Sequence, residues 1–318
     1  MGEPVYQTIA VIGCGLIGGS VVRAVRAAAA ATTIVVAEQG AAKTRVEELG
    51  IADRVTSDLA DAVRDADLVI FATPVRAIEA AAVQAAPAYK PGATISDVGS
   101  VKGAVGQALR ASAPAGVFVI PGHPIAGTEH SGPDSGFAEL FENRWTILTP
   151  SVGQGPDYEA AVDRLTRFWT AIGARVEVMD EQHHDLVLAV TSHLPHLIAY
   201  NIVGTAADLE EVTQTEVMKY SAGGFRDFTR IAASDPVMWR DVFLTNKDAV
   251  LEILGRFLDD LHSLSRAIRW GDGDKLQELF TRTRAIRRGI IEAGQETDEP
   301  DFGRHHGHAP VSPETGSE

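Results

Sequence analysis

The run Gly13-Cys14-Gly15-Leu16-Ile17-Gly18 follows a β-branched, apolar stretch, Thr8–Ile12, and opens an alanine-rich amphipathic segment. Glycines at these three places let the chain turn tightly, let backbone amides approach a pyrophosphate, and let the next helix pack close to the strand. The amides at Leu16 and Ile17 would then stand at a helix N-terminus, where free N–H groups and the helix dipole favour an anion. A glycine-rich turn without a ligand can share this spacing, so the strand before it and the helix after it carry the argument. Glu38 closes the next strand candidate, 20 residues past Gly18. A carboxylate there can accept hydrogen bonds from ribose hydroxyls and repels a 2′-phosphate, so the expected cofactor is NAD rather than NADP. Thr73-Pro74 ends a third apolar run at the carboxyl edge where open α/β sheets bind ligands, and is expected beside the nicotinamide, although an ordinary strand-to-loop turn would read the same way.

The elements that must position these residues follow from hydrophobic periodicity. Strands are expected at Thr8–Ile12, Thr32–Ala37, Leu68–Ala72, Ala93–Asp97, Val117–Ile120, Trp145–Leu148 and Arg175–Val178. Helices are expected at Ile17–Ala30, Lys43–Leu49, Asp58–Arg64, Arg76–Ala86, Val101–Ala111 and Asp157–Ile172. This alternation is the mark of repeated βαβ units on one parallel sheet, in which buried strands such as Leu68-Val69-Ile70-Phe71 read as unbroken apolar runs. After Met179 only helical patterns continue. Asp180 is placed to cap a long helix to about Ala206, kinked at Pro195, and Asp235-Pro236 to open another to about Arg269. Gly271-Asp272-Gly273-Asp274 stops that helix and caps the next. The expected organisation is therefore an α/β Rossmann-type dinucleotide-binding domain over residues 1–179, an all-α helical dimerisation domain over 180–294, and a disordered acidic tail over 295–318. The apolar stripes of the helices are the reason to expect a homodimer.

Composition narrows the function. The 318 residues are 45% hydrophobic and 22% charged with a net charge of −15, which argues against nucleic acid or an anionic membrane surface as partner. Residues 292–318 carry seven acids against one arginine, Arg304, together with the cluster His305-His306-Gly307-His308, best read as part of a solvated tail. A single cysteine, Cys14, excludes an internal disulfide framework, and neither a signal segment nor a membrane span is recognisable, so a cytoplasmic protein is expected. No metal site is expected: His183 and His184 are adjacent and point to different faces of their helix.

Two further segments end strands: Ser96-Asp97-Val98-Gly99-Ser100-Val101-Lys102, and Pro121-Gly122-His123-Pro124-Ile125-Ala126-Gly127-Thr128-Glu129-His130-Ser131-Gly132. With Ser192-His193-Leu194-Pro195-His196 and Gly224-Phe225-Arg226-Asp227-Phe228-Thr229-Arg230, they make the sequence resemble the prephenate dehydrogenases over about residues 6–290. That resemblance implies oxidative decarboxylation of prephenate or arogenate in tyrosine biosynthesis. It implies His123 as the group that draws the proton from the substrate's C4 hydroxyl, and Ser100 as its hydrogen-bonding companion. It also implies that Arg230, assisted by Arg226 one helical turn earlier, grips the ring carboxylate, while His196, Thr128 and Glu129 contact the side chain. Bland readings stand beside these: a surface ion pair with Asp227 or Asp235 for Arg230, and core packing for His193 and His196. Lys102, Lys219, Arg240 and Lys247 read as solvated or interface charges. Two rival functions share the N-terminal pattern: another small-carboxylate dehydrogenase of the β-hydroxyacid or imine-reducing type, for which Lys219 would be proposed, and a non-catalytic NAD-sensing module.

Overall fold

The protein, as a computed structural model, is described over residues 3–128, 130–208 and 223–292. Six strands, β1 (Tyr6–Ile12), β2 (Ala31–Ala37), β3 (Arg54–Thr56), β4 (Leu68–Phe71), β5 (Thr94–Asp97) and β6 (Phe118–Val119), form one sheet. All pairs are parallel, in the spatial order β3-β2-β1-β4-β5-β6. The central strands are apolar without interruption because both faces are covered. Ile9, Val11, Ile34, Val36, Leu68 and Ile70 pack on one side with α1 (Leu16–Ala28) and α6 (Pro156–Ala171). The alternate residues Ala10, Ile12, Val35, Val69 and Phe71 pack on the other with α3 (Leu59–Val63), α4 (Val75–Ala85) and α5 (Gly103–Ser112). Each fully buried Val, Leu, Ile or Phe in these layers contributes about 1.5–3 kcal/mol. The short α2 (Gly40–Leu49) buries only Val46.

The last two expected strands do not extend this sheet. β8 (Trp145–Leu148) and β9 (Arg175–Val178) join β7 (Gly122–Pro124) in a separate three-stranded sheet of order β7-β8-β9, where β7 and β8 are antiparallel and β8 and β9 parallel. The segment Gly122-His123-Pro124, which reads as loop because of its glycine and proline, is thus an edge strand. Proline is tolerated there because the donor it lacks is not demanded on both sides. β3 was absent from the expected strands because Arg-Val-Thr is too short and too polar to signal one.

Beyond Val178 every described element is helical. Asp180 caps α7 (Glu181–Leu188), its carboxylate accepting from the amide of His183 at 2.8 Å. The chain then widens into a π-helical turn at Ala189–His193 before α8 (Leu194–Asp208). The bend expected at Pro195 takes this form: proline lacks an amide proton and crowds the carbonyl one turn earlier, and a wider turn relieves both. After α9 (Gly223–Thr229) and a 3₁₀ turn at Arg230–Ala233, Asp235 caps α10 (Pro236–Thr245) through the amides of Val237 and Met238. The single helix expected from Asp235 to about Arg269 is in fact two. Asn246, at φ −100° and ψ 34°, separates α10 from α11 (Lys247–Trp270) and turns its side chain inward to the carbonyl of Asp185. Gly271 leaves α11 at φ +68°, and Asp272 accepts from the amide of Lys275 at the start of α12 (Gly273–Glu292). Two compact units result, Met1–Phe257 and Leu258–Glu318, and the candidate site residues lie in the first. The expected disordered tail, with its histidines, falls outside the described residues, as do Lys219 and Glu129.

Candidate active site

β1 and β4 are neighbours where the strand order reverses, the place beyond whose carboxyl ends open α/β sheets bind ligands. Gly13 leaves β1 at φ +92°, and a Cβ on it would lie 2.9 Å from the carbonyl oxygen of Ala72. A Cβ on Gly18 would lie 2.2 Å from the oxygen of Gly13, so these two glycines are demanded by close packing. Gly15 differs, because a Cβ there would meet nothing within 4 Å. It is the N-cap of α1, and no side chain caps the amides of the first turn that begins at Leu16 and Ile17. Alongside, Thr73 Oγ1 is buried without a hydrogen-bond partner among the described residues, and Pro74 is the N-cap of α4. Glu38 is held at the end of β2 by the amides of Cys14 (2.7 Å) and Gln39 (2.9 Å), which fixes its carboxylate beside the glycine turn. Lys43 is engaged with Glu47. An open glycine, an uncapped helix N-terminus, an unpaired hydroxyl and a fixed carboxylate together fit a dinucleotide. The Cys14 thiol, within the turn, is pushed up to about 12 by burial and by the Glu38 charge, so it is not a nucleophile.

The next site is built on the end of β5. Asp97 and Lys102 are both fully buried and paired through Lys102 Nζ and Asp97 Oδ2, so Lys102 is not the solvated charge expected from sequence. Asp97 also accepts from the amides of Gly99 (2.8 Å) and Gly122 (3.2 Å), and Lys102 donates to the carbonyl of Gly122 at 2.6 Å. Burial pushes the Asp97 carboxyl up and the Lys102 amine down, and each is the main force opposing that shift in the other. The pair staples the start of β7 to the carboxyl edge of the main sheet, and His123 is the following residue. Its Nδ1 lies 2.9 Å from Nε2 of His184, with the two rings edge to face. Burial, followed by His184, Lys102 and His193, holds the His123 imidazole well below 6.5, so it is neutral near pH 7 with a ring lone pair free to accept a proton. The hydrogen bond expected between Ser100 and His123 is not formed among the described residues; the Ser100 backbone instead faces His193.

Helices beyond β9 supply the rest. His196 donates from Nδ1 to the carbonyl of Ser192 (2.8 Å) and stacks on Trp239 with centroids 3.6 Å apart. Burial lowers its pKa, and the charge of Arg230 lowers it further, which places that guanidinium in the neighbourhood of the ring. His193 is buried, its Nδ1 accepting from Asn246 Nδ2 at 3.1 Å, while its Nε2 is buried with no side-chain partner among the described residues. Arg226 is exposed and paired with Asp227, and no described contact brings it to the site. Thr128 lies in the segment after β7, its hydroxyl accepting from the amide of His130. His184 and Asp185 carry no site role in the expectations drawn from sequence. Their signal was available: adjacent histidines on a helix after a cap point about 100° apart, so they meet different surroundings, and here His183 is exposed and His184 buried.

A parallel sheet whose switch point carries a glycine turn, an uncapped helix N-terminus and a fixed carboxylate, with a buried neutral imidazole beside its carboxyl edge, defines a nicotinamide-dependent oxidoreductase of the Rossmann class. The comparisons make the assignment finer. The profile of the prephenate dehydrogenase nucleotide-binding domain matches residues 21–178, and that of the prephenate dehydrogenase dimerization domain matches residues 180–282. The chain is 44% identical over 287 residues to a cyclohexadienyl dehydrogenase of Zymomonas mobilis, covering 90% of this chain and 97% of that one. It is 33% identical to a prephenate dehydrogenase of Bacillus subtilis, covering 89% and 76%. Its fold matches a crystal structure of the Aquifex aeolicus prephenate dehydrogenase in complex with hydroxyphenyl propionate and NAD⁺, at TM-score 0.82 and 32% identity over 89% of this chain and 98% of that one. This chain belongs to the prephenate dehydrogenase family.

Proposed function

We propose that the protein oxidatively decarboxylates prephenate to 4-hydroxyphenylpyruvate, or arogenate to tyrosine, with NAD⁺ as oxidant, in tyrosine biosynthesis. The observation that carries this reading is the placement of His123, neutral and buried at the carboxyl edge of a dinucleotide-binding sheet. When bound, NAD⁺ accepts the hydride from substrate C4. His123 accepts the proton of the C4 hydroxyl as that carbon is oxidised, and later returns it to the phenolic oxygen. Cleavage of the bond to the ring carboxylate releases CO₂, and its electron pair closes the aromatic ring. Ser100, half-buried at the turn after β5, would hold the hydroxyl in register. Arg230 would grip the ring carboxylate with its planar fork, while His196, Thr128 and Glu129 would meet the substrate side chain. Gly13, Gly15, Leu16, Ile17, Gly18, Glu38, Thr73 and Pro74 would hold the cofactor.

The same reading assigns residues 1–179 to the cofactor and 180–294 to substrate and dimer contacts, in a cytoplasmic homodimer. Support for the dimer comes from the description of the matched second domain and from α11, which exposes Leu251, Leu258, Leu261 and Ile268 at heptad-like spacing. The test is NADH formation with prephenate and with arogenate. His123→Asn should lower kcat by about 10²–10⁴-fold while NAD⁺ affinity stays near wild type. Absence of NADH with either substrate overturns the assignment.

A further inference from the structure

The geometry points to His184 and Asp185 as positioning residues that fix the tautomer of His123 and share its proton, so that His123, His184 and Asp185 act as one relay. The inference rests on the reading of His123 as the base, and deepens it. Asp185 Oδ1 accepts from the backbone amide of Lys102 (2.7 Å) and from His184 Nδ1 (2.8 Å), and Oδ2 accepts from the amide of Gly103 (2.9 Å). Lys102 and Gly103 open α5, which has no side-chain cap of its own, so the Asp185 carboxylate sits on the positive end of that helix. Burial works to raise the Asp185 pKa, but the bonds from His184 and the two amides outweigh it and keep the group ionised.

An ionised carboxylate only accepts hydrogen bonds, so the Nδ1 of His184 carries a proton. Burial disfavours the charged form of His184, and in a neutral imidazole with Nδ1 protonated the Nε2 is a bare acceptor. That Nε2 is the atom 2.9 Å from His123 Nδ1, so His123 must donate from Nδ1 and keep its lone pair on Nε2. The relay thus selects, before any substrate arrives, the tautomer in which His123 Nε2 is the base. It also supplies somewhere for the charge to go. As the substrate O–H bond breaks and an N–H bond forms at His123 Nε2, the proton on His123 Nδ1 can pass to His184 Nε2. The imidazolium that results is His184, already bonded to the Asp185 carboxylate, and His123 is neutral again. Without this partner the positive charge would remain in a site that also faces the buried Lys102–Asp97 pair and His193.

Two measurements test this. In ¹⁵N-histidine-labelled protein without substrate, long-range ¹H–¹⁵N correlations, with His123 assigned by its absence in His123→Asn, should show the Nδ1–H tautomer of His123. Finding the Nε2–H tautomer overturns the inference, whatever the activity proves to be. The second uses His184→Gln, whose amide oxygen can still accept from His123 Nδ1 but cannot take a proton. It should keep the tautomer and the KM for NAD⁺, lower kcat by about 10–10³-fold, and move the acid limb of kcat/KM to lower pH, because the base is weaker when it cannot share its proton. Asp185→Asn should shift the limb the same way. A folded His184→Gln enzyme with wild-type kcat and an unmoved limb refutes the proton sharing. If neither prephenate nor arogenate is oxidised by the wild type, the activity reading fails while the tautomer measurement still decides this one, and it does so even if His184→Gln and Asp185→Asn do not fold.

Discussion

Replacing Lys102 by methionine keeps most of the side chain's volume and removes its charge. In the native fold the ammonium is fully buried against Asp97 and the Gly122 carbonyl, so the variant strands an ionised carboxylate whose remaining donors are the amides of Gly99 and Gly122. Removing one partner of a buried pair costs about 3–5 kcal/mol. At roughly 2–4 °C per kcal/mol for a body of this size, the melting temperature should fall by about 6–20 °C near neutral pH. The pH dependence gives a second signature. Burial already pushes the Asp97 carboxyl up, and Lys102 is the chief opposing force, so its loss raises the folded-state pKa further above the unfolded one. A carboxyl shifted in that direction stabilises the fold below its unfolded pKa and loses that contribution as pH rises through the folded value. The gap between variant and wild type should therefore narrow on acidification from about pH 8 to about pH 5, where the stranded group can take a proton. Thermal unfolding followed by circular dichroism at several pH values is the assay. Asp97→Asn combined with Lys102→Met should recover part of the loss, since no charge is then stranded. A single variant melting within about 2 °C of wild type at neutral pH, or a gap that widens with acid, would show that the pair does not hold a buried charge as described.

Arg230→Ala should raise the KM for prephenate or arogenate by roughly 10- to 10³-fold with little change in the KM for NAD⁺, and Arg230→Lys should recover only part of it, because lysine keeps the charge but not the fork. Steady-state kinetics that give a normal substrate KM for Arg230→Ala return this residue to the surface. NAD⁺ should exceed NADP⁺ in kcat/KM, because the Glu38 carboxylate is locked beside the glycine turn by the amides of Cys14 and Gln39, and equal use of both cofactors defeats that role. Burial holds His193 down to about 4 from its ordinary 6.5, so the unfolded chain takes up this proton first. The stability it contributes is present above about pH 6.5 and lost as pH falls toward 4, up to about 3 kcal/mol. His193→Gln should accordingly lose less stability than wild type between pH 7 and 4.5, and identical pH slopes in thermal melts would count against it.

The nucleotide crevice was legible in the sequence because its requirements are local. Gly13 and Gly18 are set by contacts a few residues away or across one strand pair, and Glu38 by its distance from the turn. The catalytic edge was legible only in part, because its chemistry is assembled from segments far apart in the chain. Lys102 reads as a surface lysine until Asp97 and the Gly122 carbonyl close around it, and nothing in the spacing Asp97 to Lys102 distinguishes a buried pair from a solvated one. His123 reads as a loop residue because glycine and proline flank it, while the structure uses the proline's missing donor at a sheet edge. The placement of Trp145–Leu148 and Arg175–Val178 in a second sheet depends on strand pairing, which residue type alone does not specify.

The same distinction accounts for where the reactive group sits. A lone imidazole could be carried by a surface loop, but it would titrate near 6.5 and present either nitrogen. Burying His123 removes the first freedom, and the bond to His184 removes the second. Both devices need residues from beyond β9, since His184 and Asp185 come from α7, and Asp185 reaches back to cap α5 directly after the Ser100 turn. The first turn of α5 is therefore left without a side-chain cap of its own, and the carboxylate that completes it is the one that orients the base. Docking α7 against α5 and setting the protonation state of the active site are one structural event, so a substitution that loosens the α5 N-terminus should disturb the base without touching it.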